Sequence, residues 1–405
     1  MTKRSRAIAA GIFVVLNLAL LGPQAGDPSP LVDGGLHLQA EAILDGSRPY
    51  SDRRYEYPPL SIPVVVAPGL ISDSPDGYRA AFAWEMVAWA LAIVLMLAFL
   101  VPGGQARVIG ALGAFTVGLN LLSGIGPLPD SDIDSAPLAL ARFDLVPAAV
   151  VLAACFARLA NRSATWSALL SLGTAVKAYP AMLFPNFLRG EESPRRVAIG
   201  VLTPLAIAAC LVLASGDSFA SAVSYHTGRG LQVESIGANV LILGHLLGNS
   251  DLTTEVGAGA WNLIGSGTGV ARGLSLAFMA MAWFALVLLG WRRRAPLLPL
   301  TTAILATTIV LAPVLSPQFL LWVLPVAAAA FGFGAPSLIL LAAIALTQLM
   351  LGYYDGVDTL TSGFGLTLTA RNLALLAFAA LACWQALRTQ DGRAEGPSQA
   401  GSRAA

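Results

Sequence analysis

Charged side chains are scarce in this sequence of 405 residues, because Asp, Glu, Lys and Arg together make up only 12% of it. A soluble domain carries roughly 25% charged residues, so the chain lacks the polar surface that a water-soluble protein of this length needs. The net charge of +1 excludes electrostatic binding of nucleic acid as the main function. Hydrophobic residues make up 56% of the chain, with 40 glycines and 25 prolines. This composition is typical of a membrane protein with several transmembrane helices.

Cysteine clusters and nucleotide-binding motifs are also missing. The three cysteines, Cys155, Cys210 and Cys383, lie in apolar runs without a Cys-x-x-Cys spacing, which argues against a zinc site or a disulfide framework. Neither GxGxxG nor GxxxxGK[ST] occurs, so nothing indicates a nucleotide-binding domain. We predict no cofactor, and the sequence leaves open whether a divalent metal assists.

Ten apolar segments are candidates for crossing the hydrocarbon core, which takes about 20 residues of helix. They cover 7–22, 80–101, 107–126, 138–160, 197–214, 271–290, 296–314, 316–333, 335–352 and 368–388. A short, proline-interrupted stretch at 57–70 is left open as a re-entrant segment or a span of its own. We therefore predict an all-α integral membrane protein, with one polytopic membrane domain of about 10 transmembrane helices over 1–388 and a disordered cytoplasmic tail over 389–405.

The positions of Lys and Arg predict the orientation of the chain. With the N-terminus in the cytoplasm and the ten segments alternating, most basic residues fall on the cytoplasmic side and most carboxylates fall outside. This asymmetry is the normal one for a helical membrane protein. It predicts a multi-pass protein of the cell membrane with both termini cytoplasmic and two large external loops, 22–79 and 215–270.

One apolar segment, 163–188, has Lys177 and Pro180 near its middle and arginines on both flanks. If both flanks are cytoplasmic, the segment enters the membrane and returns. Its halves, 163–176 and 179–188, are each too short to cross, so we predict a hairpin of two short helices with Lys177 at the apex, facing a polar cavity. Because a charge in a membrane segment costs about 2.5–3.5 kcal/mol on insertion scales, Lys177 is a candidate functional residue. A structural ion pair, or a side chain that reaches to the membrane surface, is the alternative.

The first external loop combines a carboxylate, a pair of arginines and an aromatic-proline step. Asp33 lies just outside the first membrane helix, Arg53 and Arg54 follow a short helical stretch, and Tyr57 precedes Pro58-Pro59. Asp33 is suited either to accept a proton or to cap the helix that follows. Arginine offers a bidentate fork to phosphate, and pairing with Glu56 or with lipid headgroups is the alternative for this pair.

This combination closely resembles the start of glycosyltransferase family 87 of the GT-C superfamily. Later landmarks also resemble that family, in the same order and at matching loop positions over about residues 7 to 388. These landmarks are Gly173–Pro180 with its Lys-x-Tyr-Pro step, Arg229–Ser235 in the second external loop, and Ser316-Pro317-Gln318-Phe319 leading to Trp322. The resemblance implies a GT-C-type bundle. It also implies transfer of a hexosyl residue, mannosyl in known members, from a polyprenyl-phosphate donor to an envelope glycolipid or glycan outside the cytoplasmic membrane.

The resemblance also assigns roles to residues. It places the catalytic base at Asp33, with Asp27 as the shifted alternative. The residues expected to bind the donor phosphate or substrate are Arg53, Arg54, Tyr57, Lys177, His226, Arg229, Gln232 and Glu234. For the second loop, a surface turn followed by a cap from Glu234 and Ser235 to a helix starting near Ile236 is the alternative. The expected partners are the lipid-linked donor, a lipid or glycan acceptor and membrane lipids.

Other patterns have simpler interpretations. Asp130-Ser131-Asp132-Ile133-Asp134 contains overlapping DxD patterns but reads best as an acidic external loop, and Trp322 and Tyr354 are expected in interfacial aromatic belts. A transporter or lipid flippase is the competing function, and a catalytically inactive member of the family is the third. Transporters often contain paired interrupted helices, whereas 163–188 has no evident partner in the second half.

Overall fold

The computed structural model describes residues 1–28, 35–53, 55–124, 137–189, 193–215, 228–249, 251–257 and 259–388. Most of these residues are helical, as predicted. The α-helices are α1 (Lys3–Gly26), α2 (Leu36–Leu44), α3 (Ile62–Val66), α4 (Pro75–Leu100), α5 (Gln105–Leu122), α6 (Leu138–Ala141), α7 (Leu145–Leu159), α8 (Ser163–Val176), α9 (Phe184–Leu188), α10 (Pro194–Ser215), α11 (Ile236–Leu246), α12 (Thr268–Arg292), α13 (Leu297–Leu311), α14 (Leu320–Phe331), α15 (Ala335–Leu351) and α16 (Ser362–Arg388). Short 3₁₀ helices occur at Pro59–Ser61, Ala67–Leu70, Tyr179–Leu183, Pro317–Phe319 and Tyr354–Gly356.

Five helices in the described part of the chain are long and apolar enough to cross a membrane: α1, α4, α5, α12 and α16. Several predicted spans contain shorter helices, since α7 and α13 have 15 residues, α15 has 17 and α14 has 12. Ten predicted segments therefore hold helices, while the number of full crossings stays a prediction.

A proline and a break in the helical backbone account for two of the short helices. Helix α13 ends at Leu311 because Ala312 precedes Pro313 and takes an extended conformation, with ψ of 145°, as residues before proline tend to do. The predicted span 138–160 is broken between α6 and α7, where Arg142 is extended at φ −144° and ψ 147°. The break places Asp144 at the N-terminus of α7.

The segment 163–188 has the hairpin geometry predicted for it. Helix α8 ends at Val176, Lys177 is extended, and the return runs through a 3₁₀ helix into α9. The two ends of the segment lie together, since Arg158 before the hairpin donates through Nε to the Phe187 carbonyl at 2.7 Å. The Trp166 and Phe187 rings also pack at 5.6 Å between centroids.

The stretch 57–70 forms an apolar helical segment, Pro59–Leu70, assembled from two 3₁₀ turns around α3. Twelve residues of helix are too few for a full crossing. The segment is tied to α4, because the hydroxyl of Tyr78 donates to the Val65 carbonyl at 2.7 Å. It also lies close against α2, where a Cβ added to Gly69 would come within 2.9 Å of Leu44 Cδ1.

The mostly helical fold agrees with the all-α prediction, and the segment 251–265 adds a small antiparallel β-hairpin that was not predicted. Strand β1 (Leu252–Gly257) pairs with β2 (Ala260–Gly265) in the register Leu252↔Gly265 to Gly257↔Ala260. Thr253, Thr254 and Val256 are β-branched residues that favour strands, and Gly259 supplies the positive φ of 69° beside the turn. The prediction treated this polar, glycine-rich stretch only as a loop.

The described residues pack into two hydrophobic cores. The larger one joins the apolar faces of the helical bundle. The smaller one buries Leu231 and Val233, which precede α11, with Leu252 and Leu263 of the β-hairpin and Phe364 of α16. The β-hairpin and the chain leading to α11 are thus packed against α16. The predicted tail 389–405 and the acidic run 130–134 lie outside the described residues.

Candidate functional site

Lys177 forms a buried ion pair at the apex of the hairpin. Its Nζ lies 2.6 Å from Oδ1 of Asp144, whose side chain is 0% exposed, while the Lys177 side chain is 14% exposed. Proline at position 180 and the extended backbone of Lys177 end α8 here, and the break before α7 brings Asp144 to the same level. Lys177 is therefore ion-paired, with a partner that the sequence analysis did not identify.

Four aromatic rings surround the Lys177 ammonium. The distances from Nζ to the ring centroids are 5.6 Å for Tyr57, 5.2 Å for Phe143, 5.8 Å for Phe319 and 5.4 Å for Trp322. All four fall within the roughly 6 Å at which a cation is attracted to a ring face. We call Lys177 with Asp144 and these rings the lysine box.

Trp322 is the most constrained member of the lysine box. It stacks on Tyr179 at 4.1 Å on an almost parallel plane and on Phe319 at 4.0 Å between centroids. Its Nε1 donates to Oδ1 of Asp144, the same oxygen that Lys177 contacts. Trp322 is 8% exposed, so the prediction of an interfacial belt position is wrong for this residue. The other Asp144 oxygen, Oδ2, and the hydroxyl of Tyr179 are buried and have no hydrogen-bond partner in the described part of the chain.

Tyr57 reaches the lysine box from the segment between α2 and α3. Its ring packs edge-on against Phe143 at 4.7 Å and against Tyr55 at 6.0 Å, and its carbonyl accepts a hydrogen bond from the hydroxyl of Tyr50. Burial, together with the neighbouring Glu56, raises the pKa of Tyr57 well above its usual value. The phenol therefore stays protonated at neutral pH and can act as a hydrogen-bond donor.

A second polar cluster surrounds Glu234, which is 2% exposed. Tyr354 donates to its Oε1 at 2.8 Å, and Gln232 Nε2 donates to its Oε2. Burial raises the pKa of Glu234, and the nearby Arg371 partly offsets that rise. Arg371 itself is 0% exposed in α16. We call these four residues the glutamate cluster.

The backbone of Leu231–Val233 holds the glutamate cluster between two elements. On one side it extends the β-hairpin, with Leu263 N donating to Leu231 O at 2.8 Å and Val233 N donating to Trp261 O at 3.0 Å. On the other side, Gln232 N donates to the Pro313 carbonyl at 3.0 Å. Ser235 then caps α11 by accepting from Ala238 N, as the alternative interpretation of this segment predicted.

One short segment joins the two clusters. Gln232 Nε2 donates to Ser316 Oγ at 3.2 Å, and Phe319 N, three residues on, donates to the Ser316 carbonyl at 2.9 Å. Phe319 and Trp322 are in turn two of the rings of the lysine box. The landmarks at 57, 177–180 and 316–322, which lie far apart in sequence, therefore meet in the lysine box, and the landmark at 229–235 is hydrogen-bonded to its edge through Ser316.

The other predicted site residues are distributed differently. Asp33, Arg54 and His226 lie outside the described residues. Arg53 is exposed and donates to the Leu38 carbonyl at 3.0 Å, which places it against α2. Arg229 is half-buried where the chain leads towards Gln232.

Sequence reasoning missed Asp144 and Arg371, and Tyr354 was expected in an interfacial belt. A usable signal was present for the first two, because each is an ionisable residue inside an apolar segment, the same argument that identified Lys177. No pattern within either segment indicates the partner. Within the described residues, no group of three or more His, Cys, Asp or Glu side chains is placed to hold a metal ion.

Comparison with known proteins adds no relative. No protein-family model matches the chain, and no curated protein matches it.

Proposed function

We propose that this protein is a membrane glycosyltransferase that moves a hexosyl residue, mannosyl by resemblance, from a polyprenyl-phosphate donor to a glycolipid or glycan. In this proposal the chain crosses the cell membrane about ten times, both termini are cytoplasmic, and transfer occurs on the outer side. Lys177 binds the donor phosphate, and Asp33 is the general base.

The convergence of the four resembling landmarks is the observation that carries this proposal. Each landmark is short and weakly specific alone, and nothing in the sequence requires Tyr57, Lys177 and Trp322 to meet. Their meeting around a partly exposed ammonium supports one shared binding site. A cation near the membrane surface is the group that a lipid-linked phosphate requires.

The proposed reaction is a single displacement at the anomeric carbon. The bond from that carbon to the donor phosphate oxygen breaks, and a bond to the acceptor oxygen forms. The acceptor proton passes to Asp33, and polyprenyl phosphate leaves with the electron pair of the broken bond. Lys177 stabilises the charge on the leaving phosphate, as preorganised cations do in transition states.

The proposal is tested with purified protein, a panel of radiolabelled polyprenyl-phosphate sugars and membrane-lipid acceptors. We expect a labelled glycolipid from one donor of the panel, and a large loss of transfer in Lys177→Met. Asp76→Asn is the matched control, since it also removes one charge from an ion pair, the 2.7 Å contact of Asp76 with Arg79 at the surface. Movement of intact donor across a vesicle membrane without cleavage of the sugar bond would instead indicate a flippase.

A further inference from the structure

In the lysine box, the aromatic rings and Asp144 act on the Lys177 ammonium in different ways. Four rings already surround Nζ, at 5.2–5.8 Å from their centroids, so groups other than Asp144 also hold the ammonium in place. Asp144 is 0% exposed and does not itself reach a ligand, whereas the Lys177 side chain is 14% exposed. What Asp144 adds is a negative charge directly behind the cation.

We propose that Asp144 is a positioning residue that weakens the hold of Lys177 on phosphate, so that the product can leave. This inference rests on the proposed function. A polyprenyl-phosphate sugar is a phosphodiester with one negative charge, whereas the polyprenyl phosphate left after transfer is a monoester carrying about −1.5 to −2 at pH 7. An uncompensated ammonium would therefore bind the product more tightly than the donor, and Asp144 reduces that difference.

Trp322 sets how strongly Asp144 acts on Lys177. Its Nε1 and the Lys177 Nζ share Oδ1 of Asp144, while Oδ2 has no partner among the described residues. The indole N–H takes part of the carboxylate's hydrogen-bonding capacity away from Lys177. Removing that N–H leaves the carboxylate more firmly bound to the ammonium, which opposes phosphate binding.

The two residues therefore predict shifts of opposite sign. The measurement is calorimetric titration of full-length protein in lipid nanodiscs with farnesyl phosphate. Asp144→Asn should lower the dissociation constant by more than about tenfold, because a like charge close to the phosphate is removed at an effective dielectric constant of about 20. Trp322→Phe, which keeps the stacked ring, should raise it about threefold. Asp76→Asn, at the surface ion pair, should leave it unchanged.

Unchanged or weaker binding in Asp144→Asn overturns the inference. If that variant does not fold, Trp322→Phe decides the matter alone, and unchanged or tighter binding there overturns it. The double variant Asp144→Asn with Lys177→Met should lose the gain in affinity, since the gain acts through Lys177.

The titration and the transfer assay fail independently. Shifts of the expected sign in a protein that transfers no sugar would keep the phosphate site and remove the glycosyltransferase proposal. Sugar transfer by a protein whose Asp144→Asn variant binds farnesyl phosphate no more tightly would remove only this inference.

Discussion

The lysine box and the glutamate cluster both hold a charged side chain away from water, and they do so with different partners. In the lysine box, the described residues around Lys177 are one carboxylate in direct contact and a set of aromatic faces. In the glutamate cluster, both oxygens of Glu234 accept hydrogen bonds from neutral groups, Tyr354 and Gln232. The opposite charge there, on Arg371, acts on Glu234 electrostatically.

This difference indicates different roles. Ring faces attract a cation with little directional demand, so a partly exposed Lys177 can exchange its interactions with a ligand. Glu234 is 2% exposed, and moving it would leave its hydrogen-bonding groups unsatisfied in the interior, at about 1–3 kcal/mol for each group. The lysine box is therefore suited to binding, and the glutamate cluster to holding Leu231–Val233 and the β-hairpin against the helical bundle.

The largest expected effect tests which carboxylate accepts the proton of the acceptor. Asp33→Asn keeps the shape and much of the capping ability of Asp but cannot accept a proton, so sugar transfer should fall by about 10²–10⁴, with donor binding retained. Steady-state transfer kinetics and donor titration measure the two effects. Near wild-type turnover in Asp33→Asn, together with a loss of turnover of about 10²–10⁴-fold in Glu234→Gln, would assign the general base to Glu234 instead of Asp33.

The next effect in order is a loss of unfolding free energy when the cation of the lysine box is removed. Lys177→Met leaves the fully buried Asp144 without its counter-charge, and breaking a buried pair in this way costs about 3–5 kcal/mol of unfolding free energy. Thermal unfolding of the purified protein measures it.

The double variant Asp144→Asn with Lys177→Met controls for that cost. It removes both charges, so most of the stability should return while donor binding stays lost. Recovery of donor binding in the double variant would show that Lys177 has only a structural role.

The glutamate cluster should respond in stability rather than in catalysis. Glu234→Gln removes the charge that offsets Arg371 and places an amide N–H₂ group towards one of the two donors. The expected destabilisation is about 1–3 kcal/mol, measured by thermal unfolding, with the turnover of the folded fraction largely kept. Tyr354→Phe removes one hydrogen bond and should cost about 1 kcal/mol.

Local patterns predicted the hairpin well. Pro180 and the charge of Lys177 interrupt an apolar run, and both signals act within a few residues of the break. The helix cap at Ser235 is local in the same sense. The β-hairpin was missed because its strands are short and half-exposed, and their pairing with Leu231–Val233 is a tertiary contact.

The site was predictable only in part, because its contacts join residues that are far apart in the sequence. Lys177 stands out as an ion in an apolar segment, but its partner Asp144 lies 33 residues away, beyond any helical or strand spacing. Trp322 lies 178 residues from Asp144 and looks like any interfacial tryptophan in sequence. The sequence therefore supplies the candidates, while the fold decides which of them meet.

The smallest expected effect is a pH dependence confined to the glutamate cluster. Burial raises the pKa of Glu234, so the folded protein holds this proton more firmly than the unfolded chain, whose glutamate pKa is about 4.3. The resulting stability is fully present below that pH and is lost as pH rises through the raised value in the folded state. The unfolding temperature of the wild type should therefore fall, relative to that of Glu234→Gln, as pH is raised from about 4 to about 8. Arg371 limits this effect, because its positive charge favours the ionised carboxylate. Parallel profiles for the two proteins would show that folding does not raise the pKa of Glu234, and the burial argument would then be wrong.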